Sequence, residues 1–166
     1  MRAAAAAAGV LLLNGCATSI QLPAAPGARF DPIAFFTGRS HGEGTLDTVS
    51  GSPVRVAVDS VGTRQGAMLV LDQTIRRGTK PPSVRRWTMR LVAPGRYTGT
   101  LTDAAGPVTG NVDGPRATIR YTMKNGMQVE QQLALQNDGR TLLNHLQVRR
   151  FGLRLATLTE TIRKLD

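Results

Sequence analysis

Apolar residues recur at every second position of this chain, in short runs separated by turn residues, and that pattern limits the fold more than anything else in it. Val54, Val56 and Val58 stand opposite Arg55 and Asp59. Trp87, Met89 and Leu91 oppose Arg86, Thr88 and Arg90. Ala117, Ile119, Tyr121 and Met123 oppose Arg116, Thr118, Arg120 and Thr122. Met127, Val129, Leu133 and Leu135 oppose Gln128, Glu130, Gln132 and Gln136, and Leu142, Leu146 and Val148 oppose His145 and Arg149. Successive side chains of a strand point to opposite faces, so this is antiparallel sheet with one apolar and one wetted face.

Turn signals set the strand boundaries. They are Ser50-Gly51, Val61-Gly62, the stretch from Gly78 to Pro82, Pro94-Gly95, Ala105-Gly106, Asp113-Gly114, Asn125-Gly126 and Asp138-Gly139. Asn125-Gly126 is the strongest, since both residues tolerate the positive φ of a type I′ hairpin. The spacing predicts about nine or ten strands, each of about 7–9 residues, joined by short links. An open sheet of that size leaves long edges, and closure removes them. The expected fold is all-β: an antiparallel up-and-down closed barrel of about eight to ten strands, with an interior able to hold one small ligand. The one helix expected is short, Asp31 to Thr37, with Asp31 as its cap and Pro32 at its first position.

Composition decides between a soluble and a membrane barrel. The chain has 166 residues, 41% hydrophobic and 19% charged, which suits one globular domain with a real core. Its seven aromatic residues (4 Phe, 2 Tyr, 1 Trp) cannot build two interfacial girdles. Arginines spread along the polar faces would each cost about 2–4 kcal/mol at mid-membrane depth. No apolar run reaches the roughly 18 residues of a spanning helix. A single cysteine excludes a disulfide framework.

The N-terminus reads as an address. Arg2 precedes an apolar run from Ala3 to Leu13, and Gly15 precedes Cys16. That is the order of a secretory signal. A plain signal peptide with an incidental cysteine is the alternative to what Leu13-Asn14-Gly15-Cys16 resembles, the bacterial lipobox. Asn14 stands where that motif usually has a small or branched residue. The resemblance implies removal of residues 1–15, a diacylglycerol on the Cys16 thiol and an acyl chain on its new amine. Ala17 after the cysteine, instead of aspartate, implies sorting to the outer membrane, facing the periplasm. Acyl chains at about 0.8 kcal/mol per buried methylene make that anchor near-permanent. Residues 16–29, rich in alanine and proline, are read as a flexible tether, and residues 30–166 as the barrel.

The net charge is +10. Arg76, Arg77, Lys80, Arg85, Arg86, Arg90 and Arg96 lie between Asp72 and Asp103 with no acid among them, and Arg149, Arg150 and Arg154 form a second cluster. Export makes nucleic acid a remote partner; a solvated surface, or anionic envelope polymers, remain. No catalytic constellation stands out. There is no GxSxG elbow and no phosphate loop, and His41 and His145 lack metal-ligand spacing. His145 falls on the polar face of its strand and is expected to be solvated. Arg86, Trp87 and Arg90 form a small group, with Trp87 inward and the arginines outward. Trp87 is either a core plug or, with Tyr121, the aromatic wall of a pocket near a cationic rim. Asn144, polar on an apolar face, either bonds structural groups or orients a ligand.

A longer pattern runs through Phe35-Phe36-Thr37-Gly38, Gly42-Glu43-Gly44, Arg86-Trp87, Tyr97-Thr98-Gly99, Asp103, Gly106, Gly110-Asn111, Tyr121, Asn144 and Phe151-Gly152-Leu153, closing on Leu158 to Lys164. Over Phe30 to Lys164 the chain resembles an uncharacterised family of proteobacterial lipoproteins built on a domain of unknown function. That family is similar to calycin barrels, the lipocalins and fatty-acid-binding proteins, in which a short helix and a glycine-containing first strand close one end. Gln73 stands where family members tend to carry glutamate.

Together these features predict an outer-membrane lipoprotein whose barrel binds or carries a lipid or other amphipathic ligand. It is expected not to be an enzyme and to need no cofactor beyond the acyl chains on Cys16. The alternative is a structural or assembly module that uses its basic face on anionic envelope components. A dry interior of several hundred Å³ would favour carriage, and a solid one the module. An enzyme would need a polar dyad inside, and spacing reveals none.

Overall fold

The computed structural model describes residues 21–166. Cys16, the signal segment 1–15 and the first part of the tether lie outside the described residues. A helix α1 (Pro32–Phe36) leads into ten strands: β1 (Gly38–Thr48), β2 (Val54–Gln65), β3 (Met68–Arg77), β4 (Ser83–Ala93), β5 (Arg96–Leu101), β6 (Val108–Asp113), β7 (Arg116–Thr122), β8 (Gln128–Leu135), β9 (Thr141–Arg150) and β10 (Leu153–Lys164). Each strand pairs antiparallel with its sequence neighbour, and β1 pairs with β10 to close the barrel. The barrel therefore closes on itself within residues 38–164, and no edge is left unpaired.

The alternation places the strands as expected. Val56, Val58, Leu69, Leu71, Trp87, Met89, Ile119, Leu133, Leu142 and Ile162 are all buried inside. The helix follows its local chemistry. Pro32 occupies its first turn, and the Asp31 carboxylate accepts from the backbone N–H groups of Ile33 (2.9 Å) and Ala34 (3.2 Å).

Two turn expectations are corrected. Val61-Gly62 is not a turn, because β2 runs straight through it and turns at Gly66. Gly62 is there for a different reason: a Cβ on it would lie 1.7 Å from the Phe36 carbonyl oxygen, so only glycine lets the helix seat on the barrel wall. At Asn125-Gly126 only the glycine has positive φ, so the turn is not type I′. The two-residue turn with both φ values positive is Phe151-Gly152, at +50° and +78°, joining the paired residues Arg150 and Leu153. The strands also span 6 to 12 residues, wider than expected.

The two ends of the barrel differ. The β2–β3, β4–β5, β6–β7 and β8–β9 turns surround one end together with α1, whose Phe35 and Phe36 pack edge-to-face at 5.0 Å. Lys164 Nζ donates to the carbonyls of Phe35 (2.9 Å), Ala34 and Thr37, satisfying the helix C-terminus. The tether expectation is corrected here too. The described part lies against the closed end: Ala25 is buried and donates to the Leu135 carbonyl (2.8 Å), Phe30 donates to the Gly114 carbonyl (2.9 Å), and Arg116 donates to the Leu22 carbonyl. The β1–β2, β3–β4, β5–β6, β7–β8 and β9–β10 links ring the other, open end.

Candidate functional site

The inward face of the barrel is not uniformly apolar. At mid-height the same parity that buries Trp87 and Met89 on β4 also turns Arg85 inward. Parity likewise places Gln73 among the inward residues of β3, Gln131 between Val129 and Leu133 on β8, Asn144 between Leu142 and Leu146 on β9, and Glu160 between Leu158 and Ile162 on β10. These residues form a polar belt. The closed-end plug lies on one side of it, and a collar of Leu46, Val56, Val58, Ile75 and Leu158 lies on the other.

The belt has an ordered half and an unsatisfied half. Gln73 is the hub of the ordered half. Its Oε1 accepts from Arg85 Nε (2.8 Å) and Trp87 Nε1 (2.8 Å), and its Nε2 donates to Ser60 Oγ (2.9 Å). The Arg85 guanidinium lies 5.4 Å from the Trp87 ring centre, a cation–π placement. Trp87 and Tyr121 meet edge-to-face, centroids 5.6 Å apart at 89°. On the opposite side, Asn144 Nδ2 donates to Glu160 Oε2 (2.7 Å). Asn144 Oδ1, Gln131 Oε1 and Ser40 Oγ are buried with no protein hydrogen-bond partner. Each such group costs about 1–3 kcal/mol unless something else satisfies it.

Room for Glu160 comes from β1. A Cβ on Gly42 would lie 2.1 Å from Glu160 Oε1, and one on Gly44 would lie 2.3 Å from the Thr159 carbonyl. Burial pushes the Glu160 carboxyl above its usual range, against the hydrogen bond from Asn144 and the charge of Arg85, which pull it down. Burial also raises the Tyr121 hydroxyl. Arg85, Gln73, Trp87, Gln131 and Glu160 line one cavity of about 40 Å³. It has room for a few waters, so the interior is neither the chamber of several hundred Å³ expected of a carrier nor a solid core.

The expected site residues divide. Trp87, Tyr121 and Asn144 point inward and belong to the belt. Arg86 and Arg90 do not. Arg86 is exposed and gripped by Asp72 through two bonds (2.6 and 2.9 Å), and Arg90 is exposed on the same outer face. The cation beside Trp87 is Arg85, one residue from the expected one. Gln131, between Val129 and Leu133, and Glu160, between Leu158 and Ile162, interrupt an apolar parity in the sequence as Asn144 does, whereas Arg85 follows Ser83 and only precedes one. The absence of an interior polar dyad is likewise corrected, since Asn144 and Glu160 form one.

The histidines sit apart from the belt. His41 Nδ1 lies 2.6 Å from Asp59 Oδ1 on the outer face, and Arg76 holds the other oxygen of that carboxylate at 2.5 Å. The Asp59 contact raises the His41 pKa, and the same contact lowers that of Asp59. His145 was expected to be solvated and is buried, with its Nε2 3.0 Å from Gln147 Nε2. Burial lowers its pKa, with the charge of Arg154 acting in the same direction.

Two solved structures share this architecture. An S-type phycobiliprotein lyase from Guillardia theta superposes with a TM-score of 0.65 at 6% identity, covering 81% of this chain and 90% of its own. Rv2717c from M. tuberculosis superposes with a TM-score of 0.61 at 15% identity, covering 82% of this chain and 99% of its own. At these identities the likeness shows the fold alone, a closed barrel of lipocalin type, as the sequence led us to expect. The expectation that the chain is not an enzyme is corrected, because the same fold carries a lyase and therefore does not exclude an activity. Among the curated proteins, none matches this chain. The match of a family model over residues 10–164 shows that the chain belongs to the family described as protein of unknown function, DUF3833.

Proposed function

We propose that this barrel binds an amphipathic ligand with an anionic group, and that a lipidated Cys16 holds it at the outer membrane, facing the periplasm. The observation that carries the binding reading is the belt. An arginine inside a barrel, stacked on the only tryptophan and sharing that interior with orphaned amide oxygens, costs stability that a leucine would not. In the bound state the Arg85 guanidinium receives the anionic group, Trp87 and Tyr121 pack on the adjoining apolar part, and Gln131 and Asn144 meet its hydroxyl or amide donors. A cavity of about 40 Å³ does not take an acyl chain. Loading therefore expels its waters and displaces collar side chains toward the open end. The fold shared with other ligand-sized barrels supports this reading, as does the lipobox-like segment for the anchor.

Trp87, the only tryptophan, is a built-in reporter. The chain beginning at Ala17 keeps the whole barrel and removes the acyl chains. Titrated with dodecyl phosphate, it is expected to show a saturable change in Trp87 emission. Dodecanol should bind about tenfold more weakly, and Arg85→Ala should lose the preference for the phosphate. Equal response to both probes, or an unchanged preference in Arg85→Ala, contradicts the proposal.

A second reading is favoured by Glu160. A buried carboxyl with a raised pKa, facing a cation across a cavity, is the arrangement of a general acid or base. Under this reading the ligand is a substrate and Glu160 moves its proton. Glu160→Gln separates the two. Binding alone predicts the same ligand recovered from the variant and the wild type, whereas turnover predicts that the variant retains the unconverted form.

A further inference from the structure

We propose that the rim of the open end, built on the β9–β10 hairpin, is a docking surface for an anionic phospholipid bilayer. Phe151 at the hairpin tip is 90% exposed. It is also the only non-glycine among the described residues with positive φ, at +50°. A bulky side chain in that backbone region is strained where glycine is not. Leaving the ring in water gives up its burial as well. The fold gains nothing from either, since Phe151 belongs to no core cluster.

Its neighbours repeat the pattern. Leu153 is 70% exposed and Val49 72%, and a backbone bond from Val49 N–H to the Leu155 carbonyl (3.1 Å) ties the β1–β2 loop to the hairpin. Apolar side chains thus stand out from two joined loops on one side of the open end.

Charge identifies the occupant. Arg149, Arg150 and Arg154 are all exposed, and the Arg150 guanidinium lies 5.3 Å from the Phe151 ring centre. No acidic residue lies between Asp138 and Glu160; the register sets two carboxylates beside the hairpin, Asp47 opposite Thr157 and Glu130 opposite Gln147, the latter already paired with Arg120 (2.8 Å). On the far side of the β1–β2 loop, Gly78 donates to the Arg55 carbonyl (2.9 Å), bringing Arg77 and Lys80 onto the same rim. An aromatic ring with guanidinium groups around it matches the headgroup layer, where the ring sits at the apolar boundary and the cations meet phosphate. A protein partner's anchor would be expected to fill a packed pocket. Phe151 instead protrudes from a turn, which suits a fluid surface. This surface needs neither the interior ligand nor an acyl chain on Cys16.

The test uses the chain beginning at Ala17, sedimented with vesicles of phosphatidylcholine alone and of phosphatidylcholine mixed with phosphatidylglycerol. Binding is expected to the mixed vesicles only, and to weaken with added salt. Phe151→Gly should lower that binding about tenfold while raising the melting temperature, because glycine relieves the turn. Phe151→Trp should keep the binding. Arg150→Gln with Arg154→Gln should lower it about tenfold or more. Equal binding to both vesicle types, or Phe151→Gly binding as the wild type does, overturns the proposal. So does loss of binding together with a lowered melting temperature, which would make Phe151 a structural residue.

Discussion

The closed end of the barrel and the belt at its middle are built from the same alternation, yet they spend their interior positions in opposite ways. At the closed end Phe30, Ile33, Phe35, Phe36, Leu69, Leu133 and Leu142 are buried in one apolar cluster, and Asp31 and Lys164 satisfy the helix termini. In the belt, parity positions that could hold leucine hold Arg85, Gln131, Asn144 and Glu160, and three buried oxygens lack a protein partner. The first arrangement is explained by stability. The second costs stability, and the proposed ligand binding rests on it.

Substitutions at the closed end should have the largest effects. Gly62→Val drives a side chain into the Phe36 carbonyl, 1.7 Å from where its Cβ must sit, so the chain is expected to fail to fold or to lose more than about 3 kcal/mol. Soluble yield and guanidinium unfolding measure this. Phe35→Ala should cost about 3–5 kcal/mol in the same assay, through lost burial and the cavity left against Phe30 and Phe36.

In the belt the sign should reverse. Gln131→Leu removes an orphaned acceptor and is expected to gain about 1–2 kcal/mol of stability while weakening ligand binding. Glu160→Gln should also stabilise at pH 7. The folded chain holds the Glu160 proton more tightly than the unfolded chain does, so wild-type stability falls as pH rises from 4.5 through the raised value. The variant should lack that fall, and the two unfolding curves should converge as the pH drops toward 4.5. A belt variant that loses as much as Phe35→Ala would erase the distinction between the two regions.

The smallest effect is expected on the outer face. His41→Gln breaks the contact with Asp59 and should cost less than about 1 kcal/mol, since the pair is substantially exposed. The folded pKa of His41 is raised, so its contribution is fully present below 6.5 and fades as pH rises above it. That of Asp59 is lowered, so its contribution is present above 3.8 and fades as pH falls below it.

The barrel was legible because parity and turn residues are local properties of the sequence. Strand number, the up-and-down order and the capped helix at Asp31-Pro32 all follow from neighbours along the chain. The site was legible only in part. Parity turns Trp87, Tyr121 and Asn144 inward, but it does not say which strands look at one another across a closed sheet. That Arg85 on β4 faces Glu160 on β10 depends on closure. Arg86 points outward, as its parity requires, and pairs with Asp72 across the β3–β4 ladder; the cation that meets Trp87 is Arg85, two residues before it on the inward face. His145 shows that parity gives a face and not a depth, since its outer-face position is covered.

Native mass spectrometry of the chain beginning at Ala17, purified directly from the cells in which the protein naturally occurs, bears most directly on the binding belt. The expected spectrum contains, besides the bare chain, a species heavier by one small amphipathic anion, and Arg85→Ala shows that species reduced or lost. A bare mass alone in the wild type, or an adduct equally abundant in Arg85→Ala, would contradict a ligand held at Arg85.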